Sequence, residues 1–199
     1  MVVAEILLQR TTAAGVARAY IGFLKRYPSW IALAQSPLVD LENTLRPLGL
    51  WRQKALAFQR LALTIEMNGG VVPRTRTELE RLPGIGPYTA SAVLAIVYGR
   101  AEPLLDVNMA RCLWRFFGSL EPTTEGPKRS LHALALRLVS GKRSLEVNWA
   151  VLDFGALVCQ ARRPRCQECP LRTRCQYARS RRPTPTSNVL SYSRSAGGR

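Results

Sequence analysis

The sequence predicts an all-α protein. Apolar residues recur at helical spacing in nearly every periodic segment of the 199 residues, and no stretch shows the alternating pattern of a strand. Serine, threonine, proline and glycine stand between the periodic segments, where they start and stop helices. With 47% hydrophobic residues, the chain is long enough for one globular domain or for two small ones that share a core.

The periodicity predicts ten helices in chain order. They cover residues 2–9, 13–27, 29–34, 38–45, 52–67, 75–81, 89–98, 107–117, 127–139 and 145–158. The first begins abruptly with apolar residues and breaks at Arg10. The second ends before Pro28, and the pair Ser36-Pro37 marks the start of the fourth.

Glycines set the ends of later helices. Gly69 and Gly70 stop the long amphipathic helix over residues 52–67, and Gly99 stops the segment 89–98. Because that segment is almost wholly apolar, we expect it to be a buried central helix. The last residues, 179–199, are rich in Ser, Arg, Pro, Thr and Gly, which predicts a disordered basic tail.

The charge of the chain points to a polyanionic partner. Its 29 Lys and Arg residues against 13 Asp and Glu give a net charge of +16 and a pI near 10.8. Nucleic acid is the usual partner of such a chain, and an arginine-rich genome or an anionic membrane surface are the alternatives. The sequence has neither an apolar run long enough to span a bilayer nor a signal peptide, so we expect an intracellular, cytoplasmic protein associated with the nucleoid.

The stretch "LPGIGPYTA", residues 82–90, has the pattern of a glycine-rich turn that leads into a helix. Gly84 and Gly86 can adopt positive φ and allow another backbone to approach closely. The amides of such a turn and of the following helical turn point outward together, toward an anion. We therefore expect the turn to bind a DNA phosphate without reading sequence.

A carboxylate follows the turn at the start of "DVNMARCLWRFFG". Asp106 there has two interpretations: it caps the helix over residues 107–117, or it is held at the mouth of a cleft opposite the turn. The residues alone leave both open.

Four of the five cysteines cluster in one short stretch: Cys159, Cys166, Cys169 and Cys175. In an intracellular chain such a cluster indicates a metal site rather than disulfides. The spacing leaves zinc and a [4Fe–4S] cluster both open. Three arginines between the first two cysteines predict a rigid phosphate-binding surface. The fifth cysteine, Cys112, is expected to be a small core residue.

Three motifs together resemble the helix-hairpin-helix DNA glycosylase superfamily, which includes endonuclease III and the adenine-DNA glycosylases. They are "LPGIGPYTASAVLAIVYG", "LLDVNMAR" and the four-cysteine loop, and the resemblance covers nearly everything from Glu5 to Cys175. It implies two helical lobes with double-stranded DNA across the cleft between them. Residues 1–104 would form a six-helix barrel lobe with the hairpin, and residues 105–178 a lobe in which the four cysteines hold a [4Fe–4S] cluster.

The resemblance also implies roles for individual residues. Asp106 matches the family's essential aspartate, whose charge stabilises an oxocarbenium-like sugar and orients the attacking water. Tyr88 stands where bifunctional members carry a lysine that forms a Schiff base with the sugar. Because a tyrosine cannot form one, we expect a monofunctional enzyme that removes a base and leaves an abasic site.

Three short motifs, the first of them in the first helix, indicate which base the enzyme would remove. "EILLQRTT", Tyr88 and the run Asp106-Val107-Asn108 look most like the glycosylases that excise thymine or uracil from G·T and G·U mismatches. Removal of adenine opposite guanine or 8-oxoguanine is the alternative, since Glu5 matches the glutamate that protonates the purine in adenine enzymes. For a pyrimidine, Glu5 would instead hydrogen-bond the base edge. A DNA-binding module without catalysis is a third hypothesis.

Base flipping requires residues that enter the duplex. Leu50 and Trp51 follow Gly49 at an expected turn, where family members insert a wedge residue into the duplex. For Trp51, the alternative is that it packs beneath the next helix. Gln9 and Arg10 are expected to fill the gap left by the base or to contact the orphaned guanine. Asn108 either contacts the base or completes the helix start. We expect a monomer, and we note that family members usually carry a further N-terminal segment before the Glu5 helix.

Overall fold

A computed structural model describes residues 1–118 and 127–180, with only the backbone described for 127–129. In these ranges the chain forms helices and no strand. The helices are α1 (Val2–Leu8), α2 (Ala13–Arg26), α3 (Trp30–Gln35), α4 (Leu38–Leu45), α5 (Trp51–Met67), α6 (Arg76–Glu80), α7 (Pro87–Ala92, continued by a π-helical turn over Val93–Val97), α8 (Val107–Phe117), α9 (Pro127–Val139), α10 (Ser144–Leu157) and α11 (Gln176–Ser180).

The prediction of an all-α fold is confirmed, and each of the ten predicted helices is present with ends within two residues. Side chains cap several of them: Thr12, Ser29 and Thr75 each accept a hydrogen bond from an amide in the first turn of the following helix. The helix that the sequence analysis missed is α11, which includes Arg179 and Ser180 from the predicted tail because the Arg179 amide still bonds the Cys175 carbonyl. The rest of the predicted tail, residues 181–199, lies outside the described residues.

The largest core is built by α1 to α7. α5 is its centre, with α3 and α4 packed along it, and the Phe58 ring lies 4.9 Å from the ring of Phe23 on α2. Further fully buried members of this core come from α1, α3, α4, α5, α6 and α7, and they include Ile6, Leu7, Leu33, Leu41, Leu45, Leu61, Ile65, Leu79 and Leu94. This core fixes the relative positions of the first helix, the loop over residues 49–50 and the hairpin.

The C-terminal helices pack around two smaller clusters. Met109 and Leu113 on α8 meet Ala135 on α9 in one of them. Ala95, in the π-helical turn after α7, lies with Leu104 in the other, where Leu145 and Leu152 of α10 complete the contact. The end of the central helix is therefore shared by both halves of the molecule. None of the helices in the described ranges is long and apolar enough to cross a membrane.

Candidate active site and DNA-binding surface

The hairpin between α6 and α7 has the form that the sequence predicts, with one difference at its glycines. Gly84 has a φ of +80°, and a Cβ there would lie 3.3 Å from the Ala57 Cβ, so both conformation and space require glycine. Gly86 is extended, with a φ of −95°, and a Cβ there would meet nothing within 4 Å. The expectation of positive φ thus holds for Gly84 and was wrong for Gly86, which instead leaves the start of α7 open to solvent.

Three predicted catalytic residues, Glu5, Tyr88 and Asp106, are close enough for the charges of the two carboxyl groups to act on the phenol. Tyr88, in the first turn of α7, keeps 37% of its surface exposed. Partial burial, together with the negative charges of Glu5 on α1 and Asp106 before α8, raises the pKa of Tyr88 to about 12. Burial also raises the pKa of Glu5 above its usual range. The site therefore combines a carboxylate, a protonated phenol and a carboxyl group that holds its proton more tightly than usual.

Asp106 caps α8 and is tightly held. Its Oδ1 accepts hydrogen bonds from the amides of Asn108 at 2.8 Å and Met109 at 2.7 Å, and its Oδ2 accepts from Asn108 Nδ2 at 2.7 Å. The Oδ1 of Asn108 in turn accepts from Arg111 at 2.9 Å. Both ends of the Asn108 amide are thus occupied by protein partners, and the geometry places Asn108 as a support for Asp106 rather than as a free contact to a base.

The segment before Asp106 is fixed from two sides. Asn148 on α10, fully buried, accepts from the Leu104 amide at 2.7 Å and donates to the Glu102 carbonyl at 3.0 Å. The Glu102 carboxylate pairs with Arg76 of α6 at 2.6 Å, and Arg76 also donates to Ser91 of α7 at 2.8 Å. These bonds connect the hairpin to the approach of Asp106.

The two predicted flipping loops lie against each other, close to the hairpin. Arg10 and Leu50 are the non-glycine residues with positive φ in the described chain, at 51° and 58°, and both are exposed. A Cβ on Gly49 would lie 3.2 Å from the Arg10 carbonyl oxygen. Gln9 donates from Nε2 to the Gly84 carbonyl at 3.1 Å. Three loops with predicted DNA contacts thus meet on one face.

Trp51 differs from its neighbour Leu50. It is half-buried against the large core, and the guanidinium groups of Arg52 and Arg46 lie 4.5 and 5.5 Å from its ring centroid. Leu50 keeps 39% of its surface exposed at the start of α5. Of the two predicted wedge residues, Leu50 is therefore the one presented to solvent, and Trp51 supports two arginines beside it.

The four clustered cysteines line one cavity of about 280 Å³, with Arg115, Pro164 and Tyr177 among the other lining residues. No three His, Cys, Asp or Glu side chains in the described ranges are gathered to hold a single metal ion. The donor set at this cavity is four thiols, the ligand type that both structural zinc and iron–sulfur clusters take. The arginines between the first two cysteines, Arg162, Arg163 and Arg165, are all exposed.

Arginines of α8 hold the start of this loop. Arg111 donates to the carbonyls of Cys159 at 2.9 Å and Gly155 at 2.8 Å. Arg115 donates to the carbonyls of Gln160 at 2.7 Å and Ala161 at 2.8 Å. One helix thus starts at Asp106 and ends against the cysteine loop.

Cys112 lies at the same cavity, which the sequence did not indicate. It is buried, as expected, and it lines the cavity beside Cys159. The neighbouring Cys112 thiol and the Arg115 guanidinium, 3.6 Å from the Cys159 sulfur, lower the pKa of Cys159. Gly155 makes this close packing possible, because a Cβ there would lie 2.9 Å from the Asn108 Cβ and 3.2 Å from the Cys112 sulfur.

Sequence reasoning missed the residues that support the site. Arg76, Arg111 and Arg115 look like ordinary surface cations in their amphipathic helices, and Lys54 on α5 gives no signal at all. Asn148 did give a signal in the sequence, because it is a polar residue inside the apolar run of α10. Each makes contacts that bring together distant parts of the chain.

Comparison with known proteins agrees with this geometry. A family model described as the helix-hairpin-helix motif matches residues 69–96, which contain α6, the turn and α7. The thymine-DNA glycosylase of Aeropyrum pernix is 41% identical over 184 residues, covering 89% of this chain and 81% of that protein. The thymine/uracil-DNA glycosylase of Methanothermobacter thermautotrophicus is 33% identical over 178 residues, covering 89% and 80%. The adenine DNA glycosylase of Homo sapiens is 34% identical, covering 87% of this chain but 32% of that protein.

Solved structures show the same fold. A thermostable thymine-DNA glycosylase superposes with a TM-score of 0.84 at 31% identity and covers 90% of this chain and 83% of that one. Endonuclease III in a trapped covalent intermediate with DNA superposes with a TM-score of 0.79 at 26% identity, covering 90% and 84%. The chain therefore belongs to the helix-hairpin-helix DNA glycosylases of the endonuclease III superfamily.

Proposed function

We propose that this DNA glycosylase is monofunctional and hydrolyses the N-glycosidic bond of thymine or uracil mispaired with guanine. The observation that carries the proposal is the carboxylate of Asp106, held by three hydrogen bonds at the start of α8, together with the electrostatic influence of Glu5 and Asp106 on Tyr88. The names of the relatives from Aeropyrum pernix and Methanothermobacter thermautotrophicus support pyrimidines as the target.

Asp106 is the proposed catalytic carboxylate. As the base departs, positive charge develops on the sugar, and a fixed negative charge stabilises that state more than it stabilises the substrate. Three hydrogen bonds from Asn108 and Met109 hold the carboxylate, so little reorganisation is needed during the reaction. Asn108 is proposed as a positioning residue.

Tyr88 is proposed to limit the reaction to base removal. A phenol whose pKa is raised to about 12 stays protonated near neutral pH, so it donates a hydrogen bond and does not attack the sugar. Strand cleavage through a Schiff base needs an amine at this position, and the chain supplies none from residue 88.

Glu5 is proposed to contact the flipped base. A raised pKa lets the carboxyl group keep its proton closer to neutral pH, so it can donate a hydrogen bond to a pyrimidine carbonyl or protonate a purine nitrogen. The adenine alternative needs the full proton transfer, whereas the pyrimidine reaction needs only the hydrogen bond. Glu5→Gln therefore separates the two chemistries.

We propose that Cys159, Cys166, Cys169 and Cys175 hold a [4Fe–4S] cluster. Support comes from the single cavity that all four thiols line and from the resemblance of their spacing to the four-cysteine loop of the family. When bound, such a cluster supplies a rigid scaffold with electron-transfer capacity. The exposed arginines of the same loop would then meet DNA phosphates from a fixed surface.

The proposed duplex lies over the hairpin, with Leu50 as wedge and with Gln9 and Arg10 beside the orphaned guanine. The open start of α7 at Gly86 leaves room for a phosphate. We propose that the enzyme acts as a monomer on mismatched DNA in the nucleoid.

The experiment is a base-release assay on duplexes that carry G·T, G·U, A·G and A·8-oxoguanine, with alkali to cleave the abasic product. We expect release from G·T and G·U, and no covalent adduct when borohydride is added. Asp106→Asn keeps the helix cap and should bind the mismatch duplex while releasing about 100-fold less base or lower. Asp153→Asn, an exposed aspartate on α10, is the control.

Each other outcome has a definite meaning. Release from the adenine duplexes alone would replace the proposed target with adenine. A borohydride adduct would contradict the monofunctional assignment, and undiminished release by Asp106→Asn would remove the catalytic role of that residue. Glu5→Gln should keep the rate on G·U within about tenfold of wild type, since the amide still hydrogen-bonds the base.

A further inference from the structure

Lys54 is a buried cation that pairs with none of the carboxylates among the described residues. It lies in the first turn of α5, and 2% of its surface is exposed. Within the described residues, no Asp or Glu oxygen lies within 4 Å of its Nζ. Burial lowers its pKa from the usual lysine range. Since a methionine of similar length would fill the same space without the cost of desolvating a charge, packing alone does not explain a lysine here.

The contacts of Lys54 explain it better. Its Nζ donates to the Leu7 carbonyl at 2.9 Å and to the Thr11 hydroxyl. Leu7 is near the end of α1 and Thr11 lies just after Arg10, so the ammonium group bridges both ends of the turn that carries Gln9 and Arg10. The buried ammonium group thereby holds the two ends of this turn together.

The backbone of Lys54 fixes the second loop. Its amide donates to the Leu50 carbonyl at 2.9 Å, which is the first hydrogen bond of α5 after the left-handed Leu50. The neighbouring Gly49 is in close contact with the Arg10 carbonyl. One residue therefore joins the two loops in which non-glycine side chains adopt positive φ.

Left-handed conformations of arginine and leucine cost energy and persist only where the surrounding structure enforces them. Arg10 and Leu50 are both exposed, on the face that also presents the hairpin. We propose that Lys54 is a positioning residue for base flipping, which locks the 9–11 and 49–50 loops so that Arg10 and Leu50 enter the duplex together. The proposal rests on the DNA glycosylase activity of the family and not on which base is removed.

The test compares two duplexes from which the wild-type protein releases a base. In one the target base is mispaired, and in the other it stands opposite an abasic site and is already unpaired. Lys54→Met should slow single-turnover release from the mispaired duplex about 10- to 100-fold, the size expected when positioned groups move by about an ångström. Release from the unpaired duplex should fall no more than about threefold. Lys25→Met, at an exposed lysine of α2, should leave both rates unchanged.

Flipping is also followed directly by the fluorescence of 2-aminopurine placed beside the target. Lys54→Met should reduce the fluorescence rise on binding, while its melting temperature stays equal to that of wild type or increases. Lys54→Arg should recover part of the rate. Equal slowing on both duplexes would show a merely structural role and overturn the proposal, and so would an unchanged rate on the mispaired duplex. Should Lys54→Met not fold, Thr11→Val removes one of the two acceptors and should show the same dependence on pairing at smaller size.

Discussion

The segment from α1 to α7 and the cysteine loop from Cys159 to Cys175 are ordered by different forces. The first surrounds a large apolar core with Phe58 at its centre. In the second no residue is buried, and the start of the loop is held by hydrogen bonds from Arg111 and Arg115 to its carbonyls, beside a cavity lined by thiols. The hairpin half therefore gains its shape chiefly from apolar burial, with polar contacts fixing its loops, whereas the cysteine loop depends on polar contacts and on its thiol-lined cavity.

The largest effect should come from a cysteine that lines the cavity. Cys169→Ala should lose the iron, the sulfide and the visible absorbance of the purified protein, and limited proteolysis should then cut within residues 159–175 while α1 to α7 stay resistant. Cys112→Ala, at a thiol that lines the same cavity from α8, is the matched control and should keep its iron. Full iron content in Cys169→Ala would contradict the proposal that this cysteine holds a cluster on which the loop depends.

The next effect should come from the apolar core. Phe58→Ala removes a fully buried ring and should lower the free energy of unfolding by about 3–5 kcal/mol in denaturant titrations. Iron per folded chain should not change, because the loop does not rely on this core. Ile21→Ala, at an exposed position of α2, should change stability by less than about 0.5 kcal/mol. A loss of iron in folded Phe58→Ala would show that the two regions are not independent.

A smaller and local effect is expected at Arg115. Arg115→Met removes the bonds to the Gln160 and Ala161 carbonyls, and hydrogen bonds from a charged donor contribute about 1.5–3 kcal/mol. Amide exchange over residues 159–166 should therefore accelerate about 10- to 100-fold, with the exchange of α5 unchanged. Arg165→Met, at an exposed arginine of the same loop, serves as control. Equal acceleration in α5 would contradict the local nature of these bonds.

The smallest effect should be a pH dependence of stability that arises from Glu5, in the segment from α1 to α7. Because burial raises the pKa of Glu5, the folded protein holds this proton more tightly than the unfolded chain, and wild type loses stability as pH rises through the raised pKa. Glu5→Gln does not titrate, so its melting temperature should exceed that of wild type by a margin that grows from pH 4 to pH 8. Glu168→Gln, in the exposed loop, controls for the change in net charge. A margin that shrinks over this range would show that the pKa of Glu5 is lowered in the folded protein, contrary to the direction assigned here.

Helices, hairpin and Asp106 were predictable because their signals are local. Periodic apolar residues, the caps at Thr12, Ser29 and Thr75, and the turn at Gly84 each act within a few residues of chain. The same locality explains the failure at Gly86, since a second glycine in a turn does not reveal which of the two needs positive φ.

The supporting residues were not predictable because their partners are far away in sequence. Lys54 bonds a carbonyl 47 residues earlier, and Asn148 bonds an amide 44 residues earlier. The meeting of Cys112 with Cys159 likewise depends on how α8 crosses α10. Such contacts exist only once the helices have packed, so the sequence indicated the proposed reacting groups but not the residues that support them.

Gly155 has no reactive side chain, yet the packing around it tolerates no larger residue. A single added methyl group would stand 2.9 Å from the Asn108 side chain, so one of the two helices must give way. Asn108 holds the carboxylate of Asp106, so the displacement would reach the proposed site of bond cleavage. Alanine is a conservative replacement for glycine by size, yet at this position it would disturb the proposed catalytic carboxylate through Asn108.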